Sequence, residues 1–170
     1  MIRVYCDGSW GPSSMSGVYE SASAGSNVGR TVVVVPALDF AVLERVPATQ
    51  RGADSNAMER AAIERALALV AERAVTGAVV YTDSLGSVRS FAPARVEWLS
   101  RDDNYAGKFF HLMLGRASYL RASMGAKRRP PTPTRREVLE LFQCQRREIL
   151  LSGSGLWKRI VTLYGAPPEG

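Results

Sequence analysis

A short apolar stretch that ends in an aspartate constrains this chain most strongly. Residues 77–84 run Gly-Ala-Val-Val-Tyr-Thr-Asp-Ser, and the β-branched run within them predicts a buried strand. Asp83 follows the strand, and Ser84 can cap a helix that begins there. A carboxylate in this position is expected to be exposed but rigidly held.

The residues before this strand predict an antiparallel meander. Apolar and polar residues alternate at 2–6, and further strand candidates lie between turn signals at 15–22, 31–36 and 40–46. Asp7-Gly8-Ser9 predicts the first turn, so that Asp7 ends the first strand. Tight connections between such segments favour antiparallel pairing.

Helical periodicity begins after residue 54. Asp54-Ser55-Asn56 supplies N-cap chemistry, and residues 57–75 are rich in Ala, Leu, Glu and Arg. Glu59 falls on one stripe with three apolar residues, Ile63, Ala66 and Val70. A carboxylate on a core-facing stripe is costly unless it is paired, although the dipole of a helix N-terminus also favours Glu without any functional role.

The elements after residue 77 predict an α/β fold. We expect a short helix over 84–91, a strand over 94–99 and a helix that starts at 101–104 and runs to about 124. Because a helix separates the strands at 77–82 and 94–99, these two strands should be parallel. The predicted architecture is therefore a mixed sheet covered by helices.

The length and composition of the chain allow one hydrophobic core. The chain has 170 residues, of which 46% are hydrophobic. It contains no run of about 18 apolar residues, and its N-terminus lacks the layout of a secretion signal, so we expect a cytoplasmic protein with no membrane partner. Cys6 and Cys144 lack metal-ligand spacing and are expected to be free thiols.

The positive charge is concentrated in the last third of the chain. Residues 1–114 carry 11 Lys and Arg against 12 Asp and Glu, whereas residues 115–170 carry 11 against 4. This asymmetry favours an anionic partner, nucleic acid before a membrane surface, because no long amphipathic helix with bulky apolar anchors accompanies it. A solvated basic tail that keeps the protein soluble is the alternative.

Three segments are predicted: a domain at 1–126, a basic proline-rich linker at 127–136 and a C-terminal helical extension at 137–170. Lys127, Arg128 and Arg129 of the linker suit substrate phosphates. A helix is expected from 135 to about 151, whereas 156–164 fits a strand or a short helix. The extension could bind nucleic acid through Trp157-Lys158-Arg159, or it could pack back on the domain or on a protein partner.

Asp7, Glu59 and Asp83 form the candidate chemical site. If the strands at 2–6 and 77–82 are parallel neighbours, Asp7 and Asp83 emerge side by side, and the helix that carries Glu59 can cross over them. Crowded carboxylates repel strongly, so such a cluster requires a cation. Oxygen ligands of this kind suit Mg²⁺ or Mn²⁺, and two such ions about 3.5–4 Å apart can hydrolyse a phosphodiester. The three acids therefore predict nuclease chemistry.

Four sequence blocks, in their order and spacing, resemble the core motifs of the ribonuclease H family. They are Tyr5-Cys6-Asp7-Gly8-Ser9, Ser55-Asn56-Ala57-Met58-Glu59-Arg60-Ala61-Ala62, Tyr81-Thr82-Asp83-Ser84 and Val96-Glu97-Trp98-Leu99-Ser100-Arg101-Asp102-Asp103-Asn104. The resemblance covers about residues 1–124. It implies a five-stranded mixed sheet flanked by helices, two divalent metal ions, and cleavage of the RNA strand of RNA–DNA hybrids. It also implies that Asp7, Glu59 and Asp83 are the catalytic metal ligands.

The resemblance further implies contacts with the substrate. Asn56 matches a position that in the family contacts the minor groove of the hybrid and the ribose 2′-hydroxyl, the group that distinguishes RNA from DNA. Ser9 and Trp10 follow the first aspartate and are further candidates for substrate binding. For Trp10, a place at the edge of the core is the alternative.

One ligand position departs from the pattern of the family. The fourth carboxylate of the family corresponds to Lys108, and an ammonium cannot bind a cation, although it can serve as a counter-charge. Asn104 and Asp103, with its neighbour Asp102, are the nearby candidates for a fourth ligand, and either acid could instead cap the helix.

Two further positions also differ from the family. The mobile histidine of the family has no counterpart, because His111 lies inside a predicted helix, where we expect a structural role. Leu85 stands where the family often has a polar substrate contact.

The sequence thus supports three hypotheses about function. The first is an endoribonuclease that cleaves the RNA strand of RNA–DNA hybrids by a two-metal-ion mechanism. The second is a non-catalytic nucleic-acid-binding or assembly module with a degraded metal site. The third is a DNA-directed relative such as a junction resolvase or a transposase-type nuclease, against which the match at Asn56 argues.

Overall fold

A six-stranded mixed sheet is the framework of the protein, as a computed structural model shows. The structure describes residues 1–12, 27–46, 54–113 and 135–169. Across the sheet the strands lie in the order β5-β4-β1-β2-β3-β6. These strands are β1 (Ile2–Pro12), β2 (Asn27–Val35), β3 (Phe40–Val46), β4 (Ala78–Thr82), β5 (Val96–Trp98) and β6 (Arg146–Leu150).

The pairing of the strands changes at the centre of the sheet. β1 pairs with β4 in parallel and β4 pairs with β5 in parallel. β2 pairs antiparallel with β1 on one side and with β3 on the other, and β6 pairs antiparallel with the remaining edge of β3. The predicted α/β fold, with a mixed sheet flanked by helices, is confirmed.

Helices cover both faces of the sheet. The described helices are α1 (Ser55–Glu72), α2 (Leu85–Val88), α3 (Tyr105–Met113), α4 (Arg135–Gln143) and α5 (Gly155–Tyr164). Asp54 caps α1 by accepting a hydrogen bond from the Ala57 backbone N–H at 2.7 Å, as its sequence predicted. Among the described residues, no helix has the length and apolar character needed to cross a membrane.

The alternation of side chains along the strands produces two hydrophobic cores. Tyr5 and Val32 face one side of the sheet, where they pack with α3 and α5. Val4 and Val33, one residue away in each strand, face the other side, where they pack with α1. The sheet is therefore packed on both faces, which fixes β1 and α1, where Asp7 and Glu59 lie, and β4, which ends just before Asp83.

The first strand is longer than the sequence predicts. The parallel pairing of β1 with β4 stops at the Tyr5–Tyr81 pair, but β1 remains paired with β2 as far as Pro12. The predicted turn at 7–9 is therefore wrong. Asp-Gly is a frequent turn sequence, but here the ladder with β2 keeps both residues extended.

The five-stranded sheet is also wrong, because β6 adds a sixth strand from the C-terminal extension. The predicted helix from 135 to about 151 ends at Gln143, and residues 146–150 pair with the edge of β3 instead. Residues 155–164, for which the sequence left helix and strand open, form α5, whose Ser154 hydroxyl accepts a hydrogen bond from the Trp157 N–H. Leu156 and Ile160 of α5 are fully buried in the core beside α3.

The remaining predicted elements agree in part with the structure. The strands at 31–36, 40–46, 77–82 and 94–99 correspond to β2, β3, β4 and β5. A 3-10 turn at Arg101–Asp103 precedes α3, which is described as far as Met113. The strand predicted at 15–22, the end of the third predicted helix at 114–124 and most of the linker, 127–134, lie outside the described residues.

Candidate metal centre

Three carboxylates from distant parts of the chain converge at one end of the sheet. Asp7, Glu59 and Asp83 each offer a carboxylate oxygen, and these atoms all lie within 4.8 Å of one another. The prediction that these three side chains come within reach of a shared ion is confirmed.

The sheet brings Asp7 and Asp83 together. Asp7 lies two residues beyond the last parallel pair of β1 and β4, and Asp83 directly follows the last residue of β4. Asp7 is only 9% exposed, and its Oδ1 accepts a hydrogen bond from the Gly8 backbone N–H at 2.9 Å. Because β1 continues past the end of β4, Asp7 is held by a ladder rather than by a loop.

Gly8 allows helix α1 to bring Glu59 to the two aspartates. A Cβ atom at position 8 would overlap the carbonyl oxygen of Met58 and lie 2.6 Å from the backbone nitrogen of Glu59. Only glycine permits the first turn of α1 to approach the backbone of β1 this closely. Asp7-Gly8 therefore does not form a turn in this protein. Gly8 instead provides the space in which α1 contacts β1.

Asn104 holds Asp83 from the other side. Its amide nitrogen donates hydrogen bonds to Asp83 Oδ1 at 3.3 Å and to the carbonyl oxygen of Cys6 at 3.0 Å. Its amide oxygen accepts from the Ala106 N–H at 3.1 Å, at the start of α3. Asn104 is fully buried, and it thus directs its amide N–H₂ group to Asp83, whereas its amide oxygen accepts a hydrogen bond from α3.

The other predicted fourth ligand lies outside the cluster. Asp103 is exposed and accepts a hydrogen bond from the Ser100 hydroxyl at 2.6 Å. Within the described part of the chain, the group of acids that could hold a metal consists of Asp7, Glu59 and Asp83.

Gly107, not Lys108, is the residue of α3 that faces the carboxylates. A Cβ atom at position 107 would lie 3.2 Å from Asp7 Oδ2. The ammonium of Lys108 instead lies over the rings of Tyr105 and Tyr164, at 3.8 and 4.6 Å from their centroids. Burial lowers the pKa of Lys108 to about 8, and cation–π contacts with the two rings stabilise its charged form.

Three of the residues predicted to bind substrate lie on the two elements that carry Asp7 and Glu59. Ser9 and Trp10 lie on β1 beyond Asp7 and are partly buried, so they belong to a strand and not to a loop. Asn56 is exposed in the first turn of α1, three residues before Glu59 and therefore on the same helix face. Lys127, Arg128 and Arg129 lie outside the described residues.

Expectations from the sequence also concern four other side chains, those of His111, Trp157, Cys6 and Cys144. His111 is 9% exposed within α3, in agreement with the structural role predicted for it. Trp157 stacks on Phe109 with 6.0 Å between ring centroids and also contacts Tyr105, so its ring belongs to the core. Cys6 and Cys144 are free thiols, as predicted.

The electrostatics of the centre disfavour three negative charges. Burial, reinforced by the charges of Glu59 and Asp83, raises the pKa of Asp7 well above its usual range. Burial and the charge of Asp83 raise the pKa of Glu59 from 4.5 to about 7. Without a cation, the pair formed by Asp7 and Glu59 therefore tends to retain a proton near neutral pH.

The donor set fits a hard divalent cation. Glu59 Oε2 is buried without a hydrogen-bond partner, and every side chain of the cluster contributes oxygen atoms. Mg²⁺ and Mn²⁺ prefer such oxygen ligands, and an ion between the carboxylates would offset the repulsion that adds to burial in raising the two pKa values.

A cavity of about 520 Å³ opens toward the start of β1, with Arg3, Tyr5 and Trp157 among its lining residues and none of the three acids. The three acids lie instead where β1 runs past the end of β4.

Two residues beside Asp83 were not assigned a role from the sequence. The indole N–H of Trp98 donates to the carbonyl oxygen of Asp83 at 3.2 Å, and Arg101 Nε lies 3.4 Å from Asp83 Oδ2. The signal was available in part, because parallel pairing of β4 with β5 sets Trp98 opposite Thr82, the neighbour of Asp83.

Comparisons with known proteins add no assignment. No protein-family model matches the chain, and neither the curated proteins nor the solved structures contain a match. The fold and the geometry of the centre are therefore the basis for a proposed function.

Proposed function

We propose that this protein is a metal-dependent endoribonuclease that cleaves the RNA strand of RNA–DNA hybrids. The observation that carries the proposal is the convergence of Asp7, Glu59 and Asp83 from three separate segments. Mutually repelling carboxylates in partly buried positions are seldom retained without a cation. The resemblance of the four sequence blocks to the ribonuclease H family supports the substrate class.

The three acids would hold the ions through their carboxylate oxygens. Asp7 Oδ1 is oriented by the Gly8 N–H, and its Oδ2 faces Gly107 in the first turn of α3. Glu59 offers a buried oxygen without a partner. When bound, divalent ions at such a centre activate the attacking water and stabilise the leaving 3′-oxygen.

The surrounding residues position the centre and the substrate. Asn104 fixes the orientation of Asp83 through its amide N–H, and Gly107 leaves the space beside Asp7 free of a side chain. Asn56, on the same face of α1 as Glu59, is the candidate donor to a ribose 2′-hydroxyl. The net charge of +6 favours binding of an anionic polymer, which should weaken as salt concentration rises.

A second candidate function is a non-catalytic nucleic-acid-binding or assembly module. The surroundings of Lys108 favour it, because this residue stands at the expected fourth ligand position and its ammonium is held by Tyr105 and Tyr164 rather than by the acids. Three carboxylates would then hold an ion too loosely for catalysis while the basic chain still binds nucleic acid.

Labelled substrates distinguish the two candidates. The protein is incubated with RNA–DNA hybrid, double-stranded RNA and double-stranded DNA, each with Mg²⁺ or Mn²⁺. We expect that the protein cleaves only the hybrid, and only with a metal ion present. Asp7→Asn and Asp83→Asn should abolish this cleavage. Asp103→Asn, which removes an exposed acid outside the cluster, should cleave normally. Tight binding of the hybrid without cleavage by the unaltered protein would instead support the binding module.

A further inference from the structure

Trp98 forms an exposed aromatic surface at the candidate centre. Its side chain is large and apolar, yet the residue is 51% exposed. The hydrogen bond from its indole N–H to the carbonyl oxygen of Asp83 ties the edge of the ring to the backbone of a metal ligand. The ring is thus held in a fixed position beside the acids while much of its surface meets solvent.

A second exposed apolar residue follows Asp83 closely in the chain. Leu85 is 59% exposed and follows Asp83 by two residues, at the start of α2, a helix that contacts β5. Arg101, whose side chain is 69% exposed, adds a cation beside Asp83. The surroundings of Asp83 therefore include an exposed aromatic ring and a positive charge.

These features fit an unpaired nucleotide better than a continuous duplex. Within a duplex, both faces of each base are covered by neighbouring bases, so an aromatic ring finds no base face to stack on. An unpaired base leaves the stack and presents a face to an aromatic side chain, while its phosphate can contact a cation such as Arg101.

We propose that Trp98 stacks on an unpaired nucleotide of the substrate strand, next to the phosphate held at the acidic centre. Substrates with an unpaired nucleotide, such as a bulge or the junction between a duplex and a single strand, would then be preferred over fully paired hybrid. This inference rests on the proposed function, because it takes the acidic centre as the place where the phosphate binds.

Binding of matched hybrids tests the inference. Two RNA–DNA hybrids of the same sequence are compared, one fully paired and one with a single bulged 2-aminopurine ribonucleotide, with Ca²⁺ in place of Mg²⁺. The bulged hybrid should bind about 5- to 150-fold more tightly, the range expected for stacking of one base on an aromatic side chain. The 2-aminopurine fluorescence should be quenched on binding.

Variants identify the residue responsible. Trp98→Ala should remove both the preference and the quenching, so that the variant binds the two hybrids with equal affinity. Trp98→Phe should retain part of the preference, which guards against a misfolded alanine variant. Leu150→Ala removes an exposed apolar side chain at the opposite edge of the sheet and should change nothing.

Each outcome bears on one proposal or the other. Equal affinity for the two hybrids, unquenched fluorescence, or equal weakening of both hybrids by Trp98→Ala would overturn the role of Trp98. A change in self-association of Trp98→Ala with unchanged hybrid binding would overturn it in favour of a protein contact. A preference that depends on Trp98, found in a protein that never cleaves hybrid with Mg²⁺ or Mn²⁺, would retain the stacking role and reject the nuclease.

Discussion

At the scale of single residues, Asp7 and Glu59 couple the metal site to stability. The pKa of both carboxyl groups is raised in the folded protein, first by burial and then by neighbouring acids. The folded state therefore binds their protons more tightly than the unfolded chain does. The stability that this contributes is fully present below about pH 4.5 and is lost as pH rises through about 7, the folded pKa of Glu59.

The predicted loss of stability with rising pH can be tested in metal-free protein. Asp7→Asn, which removes a carboxylate whose pKa is raised well above its usual range, should unfold at a higher temperature than the unaltered protein at pH 7.5 in EDTA. The difference should shrink at pH 5. Mn²⁺ should raise the unfolding temperature of the unaltered protein at pH 7.5 and leave Asp7→Asn unchanged. Equal thermal unfolding of both proteins at pH 7.5, with and without Mn²⁺, would disprove the coupling.

Asn104 gives a second prediction at this scale. Asn104→Ala should cost about 2–4 kcal/mol in urea unfolding, because it removes a helix cap and leaves the carbonyl oxygen of Cys6 without its donor. Asn104→Asp keeps the cap but adds a fourth carboxylate. In EDTA it should therefore be less stable than the unaltered protein, and Mn²⁺ should raise its free energy of unfolding by more. Asn56→Ala, at an exposed site, serves as the control and should change stability by less than about 0.5 kcal/mol.

The residue types of the centre were predictable, but their orientations were not. Asp83 follows the predicted strand and Glu59 lies on the predicted helix stripe, whereas Asp7, expected at the end of a strand, lies inside β1. The amide of Asn104 has an oxygen and an N–H₂ group, and only the fold determines which one faces Asp83. Likewise, the choice between Gly107 and Lys108 depends on the rotation of α3 about its axis, which spacing alone does not fix.

At the scale of elements, the contact between β1 and α1 assembles the centre. Gly8→Ala should destabilise the protein by more than about 3 kcal/mol, because its Cβ would overlap the backbone of Met58 and push the first turn of α1 away. It should also weaken Mn²⁺ binding, since Glu59 moves with that turn. Gly11→Ala is the matched control in the same strand, where a Cβ meets nothing within 4 Å. Similar losses of stability in the two variants would contradict this account of Gly8.

The errors in the predicted elements have a tertiary cause. Residues 146–150, Arg-Arg-Glu-Ile-Leu, have good intrinsic helix propensity, but pairing with the open edge of β3 makes them a strand. The Asp7-Gly8-Ser9 turn failed for the same reason, since a β2 partner extends the strand. Segments with strong periodicity, such as α1 and β3, were predicted closely because their local pattern and their tertiary partners agree.

At the scale of the whole molecule, the C-terminal segment belongs to the same folded unit as the acidic centre. β6 completes the sheet, and Leu156 and Ile160 of α5 are fully buried in a core that also contains Tyr5 and Phe109. This core supports α3, the helix whose start holds Asp83 through Asn104. We therefore expect damage to α5 to reach the metal centre.

A single substitution in α5 tests this dependence. Leu156→Ala should lower the free energy of unfolding by about 2–5 kcal/mol, the usual cost of a cavity at a fully buried leucine. The unfolding transition monitored at α5 and at the centre should remain a single one. Lys158→Ala, on the exposed face of α5, should leave stability within about 0.5 kcal/mol. Separate transitions for the two regions would show that the C-terminal segment folds independently.

A titration of the protein with Mn²⁺, followed by electron paramagnetic resonance of the free ion, measures directly whether the three carboxylates hold a metal. We expect saturable binding by the unaltered protein, lost or severely weakened in each of Asp7→Asn, Glu59→Gln and Asp83→Asn, and retained in Asp103→Asn. Mn²⁺ binding that is absent from the unaltered protein, or that survives all three substitutions, would contradict a metal centre built from these carboxylates.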